Sequence, residues 1–264
     1  MASVAETGET MSVGHVFSRG FGVIVDNPVT VFGIAFLIGA LPSVLISWLQ
    51  QRTVSGQMDS EQIVGSLAVA FGSIFVSLLL QALVQGSLVR ATLAYARGER
   101  ATFAECVGAA LAVVLPLLGL VVLMVIGIWI GMIFLFVPGV MLFVMWSVAS
   151  PALVAERTGV FEAFGRSRFL TKGARWKVFG IEVILIVIYY VFIGAFAATT
   201  FTATGSNFAT SVSTSGLPLG WLIATIVSST LATTVWSTVQ TSLYVELRNW
   251  KEGLPEQSLA EIFS

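Results

Sequence analysis

From Val107 through Trp146 the chain runs for about forty residues without an Asp, Glu, Lys or Arg. A helix rises about 1.5 Å per residue, so roughly 20 apolar residues cross the hydrocarbon core of a bilayer. The stretch is therefore two crossings with a break between them. Val137, Pro138 and Gly139 mark the break, because proline restricts its predecessor and glycine accepts turn dihedrals. The whole chain agrees with this: 56% of its 264 residues are hydrophobic and 10% are charged, against roughly a quarter charged in soluble domains.

Four further runs complete an all-α, polytopic bundle of six transmembrane helices. The first span is Val29 to Leu49, bent at Pro42, which lacks an amide donor and crowds the preceding turn. A polar loop, Gln50 to Gln62, leads to a second span at about 63–95. The charged connector Arg97 to Glu105 resets the chain, with Thr102 and Thr92 weaker start signals than the change in polarity itself. The third and fourth spans lie at about 107–135 and 140–154, the fifth at 176–201 and the sixth at 219–247. A polar segment, Thr202 to Gly216, joins the last two as an outer loop. The block Glu156 to Lys177 is the most charged part of the chain, and a short interfacial helix is placed at about 159–170, with Phe161, Phe164 and Phe169 entering the apolar boundary. Residues 1–27 and 249–264 are the expected tails, with 28–248 as the transmembrane domain.

Basic residues fix the expected orientation. Six spans with both termini on one side put twelve of the 13 Lys and Arg on that side, leaving only Arg52 opposite. The positive-inside rule then makes that side cytoplasmic, and the expected location is the cytoplasmic (inner) membrane. A five-span chain would separate Arg157–Lys177 from Arg97–Arg100. The N-terminal stretch carries Glu6 and Glu9 and no basic residue before Val16, so it is expected to be a cytoplasmic tail and not a signal peptide.

The same counts exclude several chemistries. A net charge of −1 argues against nucleic acid as a partner. One cysteine, Cys106, and one histidine, His15, cannot make a disulfide, a cysteine zinc cluster or a paired-histidine metal motif. Neither a cofactor nor a metal is expected. The Ser- and Thr-rich outer loop has no His or Lys base nearby, so no nucleophile is activated there.

Charge chemistry is confined to two places. The first is the basic block, in which Arg166, Arg168, Lys172 and Arg175 are candidate contacts for a lipid or other phosphate. The plainer alternative is a topology determinant and interface anchor, as in the inside loops of most membrane proteins. The second is a set of intramembrane polar residues. Glu182 lies inside the fifth span, where an ionised carboxylate is costly unless paired, and Arg90 or the interfacial helix could supply the partner. Gln81 and Gln85, four apart, share a face of the second span with Arg90, and Gln240 and Glu246 are candidates for the facing side from the sixth. That interior either lines a substrate path or joins helices. Gly127 and Gly131 permit close helix packing, within the bundle or at a dimer face. Glu156, beside Arg157, is expected to fix the turn below the fourth span.

Four stretches carry a resemblance: YARGER at Tyr95–Arg100, FVPGVMLFVMWSVASPALVAERTG at Phe136–Gly159, EAFGRSRFLTKGARWKVFG at Glu162–Gly180, and YVELRNWKEG at Tyr244–Gly253. With their spacing, they make the region from Asn27 to Phe263 resemble the membrane domain of glycerophosphoryl diester phosphodiesterases. The resemblance implies a six-helix membrane module with an interfacial segment after the fourth span. In fused members of that family hydrolysis resides in a separate soluble barrel that uses histidines and metal-binding carboxylates. The present sequence holds no such domain, so no hydrolytic activity is expected.

The expectation is thus a non-catalytic integral membrane protein, associated with lipid at the cytoplasmic leaflet. The alternative is a small-molecule or lipid transporter or channel, with a polar path between the second, fifth and sixth spans. Membrane phospholipids are the expected partners, and a homo-oligomer or another membrane protein is left open.

Overall fold

The computed structural model describes residues 11–54, 60–204 and 219–253. Residues 1–10, most of the expected outer loop (205–216) and the tail from 254 lie outside the described residues. Every regular element among the described residues is helical, and six helices are long and apolar enough to cross a membrane.

The first span, Pro28–Gln50, is a composite. Helix α2 (Pro28–Ile34) passes into a π-helical stretch, Ala35–Ala40, and then into α3 (Leu41–Val54). Pro42 sits just past the π stretch. Its ring would crowd the carbonyl four residues back, and the wider turn absorbs that conflict. The second and third spans are single helices, α4 (Ser60–Ala96) and α5 (Phe103–Phe134). Thr102 caps α5: its hydroxyl accepts from the Glu105 amide at 3.4 Å, while the Glu105 carboxylate accepts from the Thr102 amide at 3.0 Å. This reciprocal cap starts the helix at Phe103, four residues before the charge-free run, so Thr102 is a stronger signal than the polarity change.

The chain breaks after α5 at Leu135, whose backbone is extended, and Pro138 and Gly139 fall in the first turn of α6 (Phe136–Trp146). Proline is tolerated there because first-turn amides have no intrahelical partner. Glycine is required for a different reason. A Cβ on Gly139 would come within 2.8 Å of the Met132 backbone nitrogen, and one on Gly131 within 3.0 Å of the Gly139 Cα. A Cβ on Gly127 would meet the Trp146 ring at 2.6 Å. The Gly127/Gly131 spacing therefore packs α5 against α6 inside the bundle.

The fourth span finishes as α7 (Ala149–Glu156), which ends where Arg157 turns left-handed at φ 51°. Helix α8 (Val160–Thr171) follows, with the Gly159 amide donating to Glu162 at 3.1 Å. The fifth and sixth spans are α9 (Arg175–Thr204) and α10 (Leu219–Glu252). Part of the expected N-terminal tail is itself a helix, α1 (Val13–Asp26), with Val16, Gly20 and Val23 buried. It packs along α10, where a Cβ on Gly20 would lie 3.1 Å from the Val239 Cα.

Candidate functional site

Ten of the fifteen residues from 228 to 242 in α10 are Ser, Thr or Gln, which is unusual inside an apolar bundle. Several hydroxyls satisfy themselves locally. Thr230 donates to the Ile226 carbonyl at 2.7 Å, Thr238 to Thr234 at 2.9 Å and Thr241 to Ser237 at 2.7 Å. Such back-bonding lets a polar helix enter the membrane at little cost. The Thr234, Ser237 and Ser242 hydroxyls are buried without a partner among the described residues.

Gln240 is the centre of a small polar cluster. Its side-chain oxygen accepts from the Gln85 amide of α4 at 3.4 Å, and on its other side it interacts with the Glu182 carboxyl. That interaction falls short of hydrogen-bond geometry, since both Glu182 oxygens are buried and without a hydrogen bond. Glu182 is 0% exposed. Its neighbours along α9, Val178, Ile181 and Leu185, belong to an apolar cluster with Val239, Leu243 and Tyr244 of α10. No ion pair joins Glu182 to Arg90. Arg90 is half-buried on α4.

A cavity of about 530 Å³ lies between α4, α9 and α10. Gln81 and Gln85 enter from α4, Thr233 and Ser237 from α10, and the rings of Phe143, Tyr189, Tyr190 and Trp236 form much of the remaining wall. A second cavity of about 130 Å³ shares Gln81 and Thr233 with it and runs between the π stretch, α3 and α10. The structure thus joins Gln85, Gln240 and Glu182 into one cluster, and places Gln81 and Gln85 on the cavity wall. The aromatic wall, Thr233 and Ser237 were not among the residues singled out from the sequence. Their signal was present in the hydroxyl-rich face of α10 and in the Tyr189–Tyr190 pair.

The basic block divides. Arg166 is committed to carboxylates: Nε lies 2.7 Å from Glu156 and a terminal nitrogen 2.5 Å from Glu252. The Glu252 hydrogen bond, with that of Glu156 behind it, raises the Arg166 pKa above its ordinary value despite partial burial. Glu156 also accepts from the Tyr244 hydroxyl at 2.8 Å, and Arg248 bonds Glu252 at 3.2 Å. Glu156 therefore links α7, α8 and α10, beyond fixing a local turn. Arg175 is half-buried, with its Nε buried and unpartnered. Arg168 and Lys172 are exposed, near exposed Phe161, Phe169 and Trp176 in the sequence. No group of three or more His, Cys, Asp or Glu that could hold a metal occurs among the described residues.

Residues 46–242 match the profile described as "Uncharacterised protein family (UPF0259)". A UPF0259 membrane protein of Pectobacterium carotovorum subsp. carotovorum (strain PC1) is 28% identical over 140 residues, or 50% of this chain. The match spans 56% of that relative's own length. No solved structure matches. These findings overturn the resemblance to the glycerophosphoryl diester phosphodiesterase membrane domain. The stretches quoted for it are short, and their basic and aromatic residues flanking apolar runs are what spans with positive inner loops carry in general. With the family match covering most of its length, the chain belongs to the UPF0259 family of membrane proteins.

Proposed function

We propose that this protein is a non-catalytic carrier of a small amphiphilic molecule, held between the second, fifth and sixth spans. The cavity of about 530 Å³ carries the reading. Its size is that of ordinary small-ligand sites, about 300–1,000 Å³, and its mixture of aromatic wall and a few amide and hydroxyl groups suits a molecule with an apolar body and a polar end. The distribution of Lys and Arg supports a cytoplasmic membrane with both termini inside. The test is photocrosslinking with an uncharged photoactivatable monoacylglycerol. Adducts are expected on the segments lining the cavity, and Ala232→Trp, which fills it from α10, is expected to lower labelling several-fold. Equal labelling of both proteins would remove the reading.

A second reading rests on exposed Arg168 and Lys172, with exposed Phe161, Phe169 and Trp176 close in sequence. Cations flanked by aromatics at a membrane boundary suit anionic phospholipid headgroups. Arg166 has no part in it, because its guanidinium is engaged by Glu156 and Glu252.

A further inference from the structure

Glu182 is the one acidic side chain in the bundle that is fully buried yet lacks a hydrogen bond to either carboxyl oxygen among the described residues. It stands one helical turn from Ile186, which lines the large cavity, and the Gln85 amide on the cavity wall bonds Gln240, which interacts with Glu182. The cavity wall holds no Lys or Arg, and four of its ten residues are aromatic. Aromatic faces attract cations, most strongly where water is excluded. An acid behind such a wall completes a site for positive charge.

We propose that Glu182 is the proton-exchange group of the cavity, and that the ligand is a lipophilic organic cation. This deepens the carrier reading and rests on it. With the cavity empty, the carboxyl carries its proton, because an isolated ionised carboxylate in apolar surroundings is prohibitively costly. When a cation enters, the O–H bond of Glu182 breaks, the proton leaves to water, and the carboxylate balances the cation's charge. One cation enters and one proton leaves, so net charge is conserved.

The surrounding groups leave Glu182 free for this role. On α10, Tyr244 donates to Glu156, Glu246 interacts with Ser12 and Arg19, and Arg248 pairs with Glu252. Lys251 lies over the Phe169 and Trp250 rings. Helix α6, also packed on α9, has no titratable side chain. On α9 itself, Lys177 donates to the Met11 carbonyl at 3.0 Å, Tyr189 and Tyr190 pack edge to face on each other, and Arg175 stands two helical turns before Glu182.

The test uses the full chain in detergent micelles, in weak buffer, titrated with tetraphenylphosphonium while bound cation and released protons are counted. About one proton per cation is expected at neutral pH. Where the carboxyl starts protonated, affinity should rise about tenfold per pH unit, the slope for one exchanged proton. Glu182→Gln should bind at least tenfold more weakly, without proton release or pH dependence. Glu182→Asp should retain the release, which separates loss of the carboxyl from loss of fold. Binding without proton release, or an unchanged Glu182→Gln protein, overturns the proposal. If the uncharged monoacylglycerol labels the cavity and the cation does not bind, the proposal falls and the carrier reading stands.

Discussion

Arg166 donates from Nε to Glu156 Oε1 at 2.7 Å, and the same oxygen accepts from the Tyr244 hydroxyl at 2.8 Å. Glu252 holds the other end of the guanidinium, so one arginine ties α7 and α8 to the end of α10. Arg166 and Glu156 are each only 21% exposed, so removing one partner leaves others short of bonds. Arg166→Ala is expected to cost about 1–3 kcal/mol, read as a lower unfolding temperature in detergent. Glu252→Ala combined with it should cost less than the sum of the two, because both remove one interaction. Strict additivity would show that the pair is not coupled.

Gly131 and Gly139 let α5 and α6 approach until a Cβ on the first would lie 3.0 Å from the Cα of the second. No side-chain motion relieves a clash with backbone. Gly131→Leu is expected to destabilise by at least about 2 kcal/mol or to block assembly. Gly72→Leu, on α4 with nothing within 4 Å of its added Cβ, is the control and should stay near wild type. A folded Gly131→Leu protein of unchanged stability would contradict the close approach.

Elements governed by local chemistry were legible in the sequence. The charge-free run from Val107 fixed two crossings, Pro42 marked the disturbed turn of the first span, and the run after Gly159 announced a short helix. What could not be read was set by contacts between distant residues. Arg166 looks like a free cation until Glu252, far along the chain, folds onto it. Glu182 invites an arginine on charge alone, yet its turn of α9 packs into an apolar cluster with α10, and no ion pair joins it to Arg90. The first helix escaped because it is short and half-apolar, so its status depends on docking to α10.

That docking has a polar lock. Glu246 accepts from the Ser12 amide at 3.4 Å and faces Arg19 at 3.5 Å. These are long contacts, and Val16, Gly20 and Val23 supply most of the burial. Glu246→Ala is therefore expected to cost less than about 1 kcal/mol globally. It should still speed amide hydrogen exchange across Val13–Asp26, because a short terminal helix opens locally before the bundle does. Exchange unchanged in that segment would show that apolar packing alone holds it.

Burying Glu182 without a hydrogen bond should be a net cost to the fold. Glu182→Gln keeps the shape, removes any ionisation and supplies an amide beside Gln240. The unfolding temperature at neutral pH is expected to hold or to rise by a few degrees, in the manner of functional groups that are retained against stability. A clear fall would mean that the carboxyl makes a structural contribution.

Separating the basic residues gives the sharpest test of lipid contact. Arg168 and Lys172 are exposed, whereas Arg166 is held between two carboxylates. Headgroup attraction is worth about 1 kcal/mol per basic residue near an anionic surface, so the double substitution Arg168→Gln with Lys172→Gln removes about 2. Co-purified anionic phospholipid, measured by mass spectrometry, is expected to fall several-fold while the unfolding temperature stays put. Arg166→Gln should show the opposite pattern, with lipid retained and stability lost. If the double variant keeps its full complement of lipid, those two cations serve orientation alone. If Arg166→Gln sheds lipid without loss of stability, its carboxylate pairs do not hold it in the membrane-bound protein.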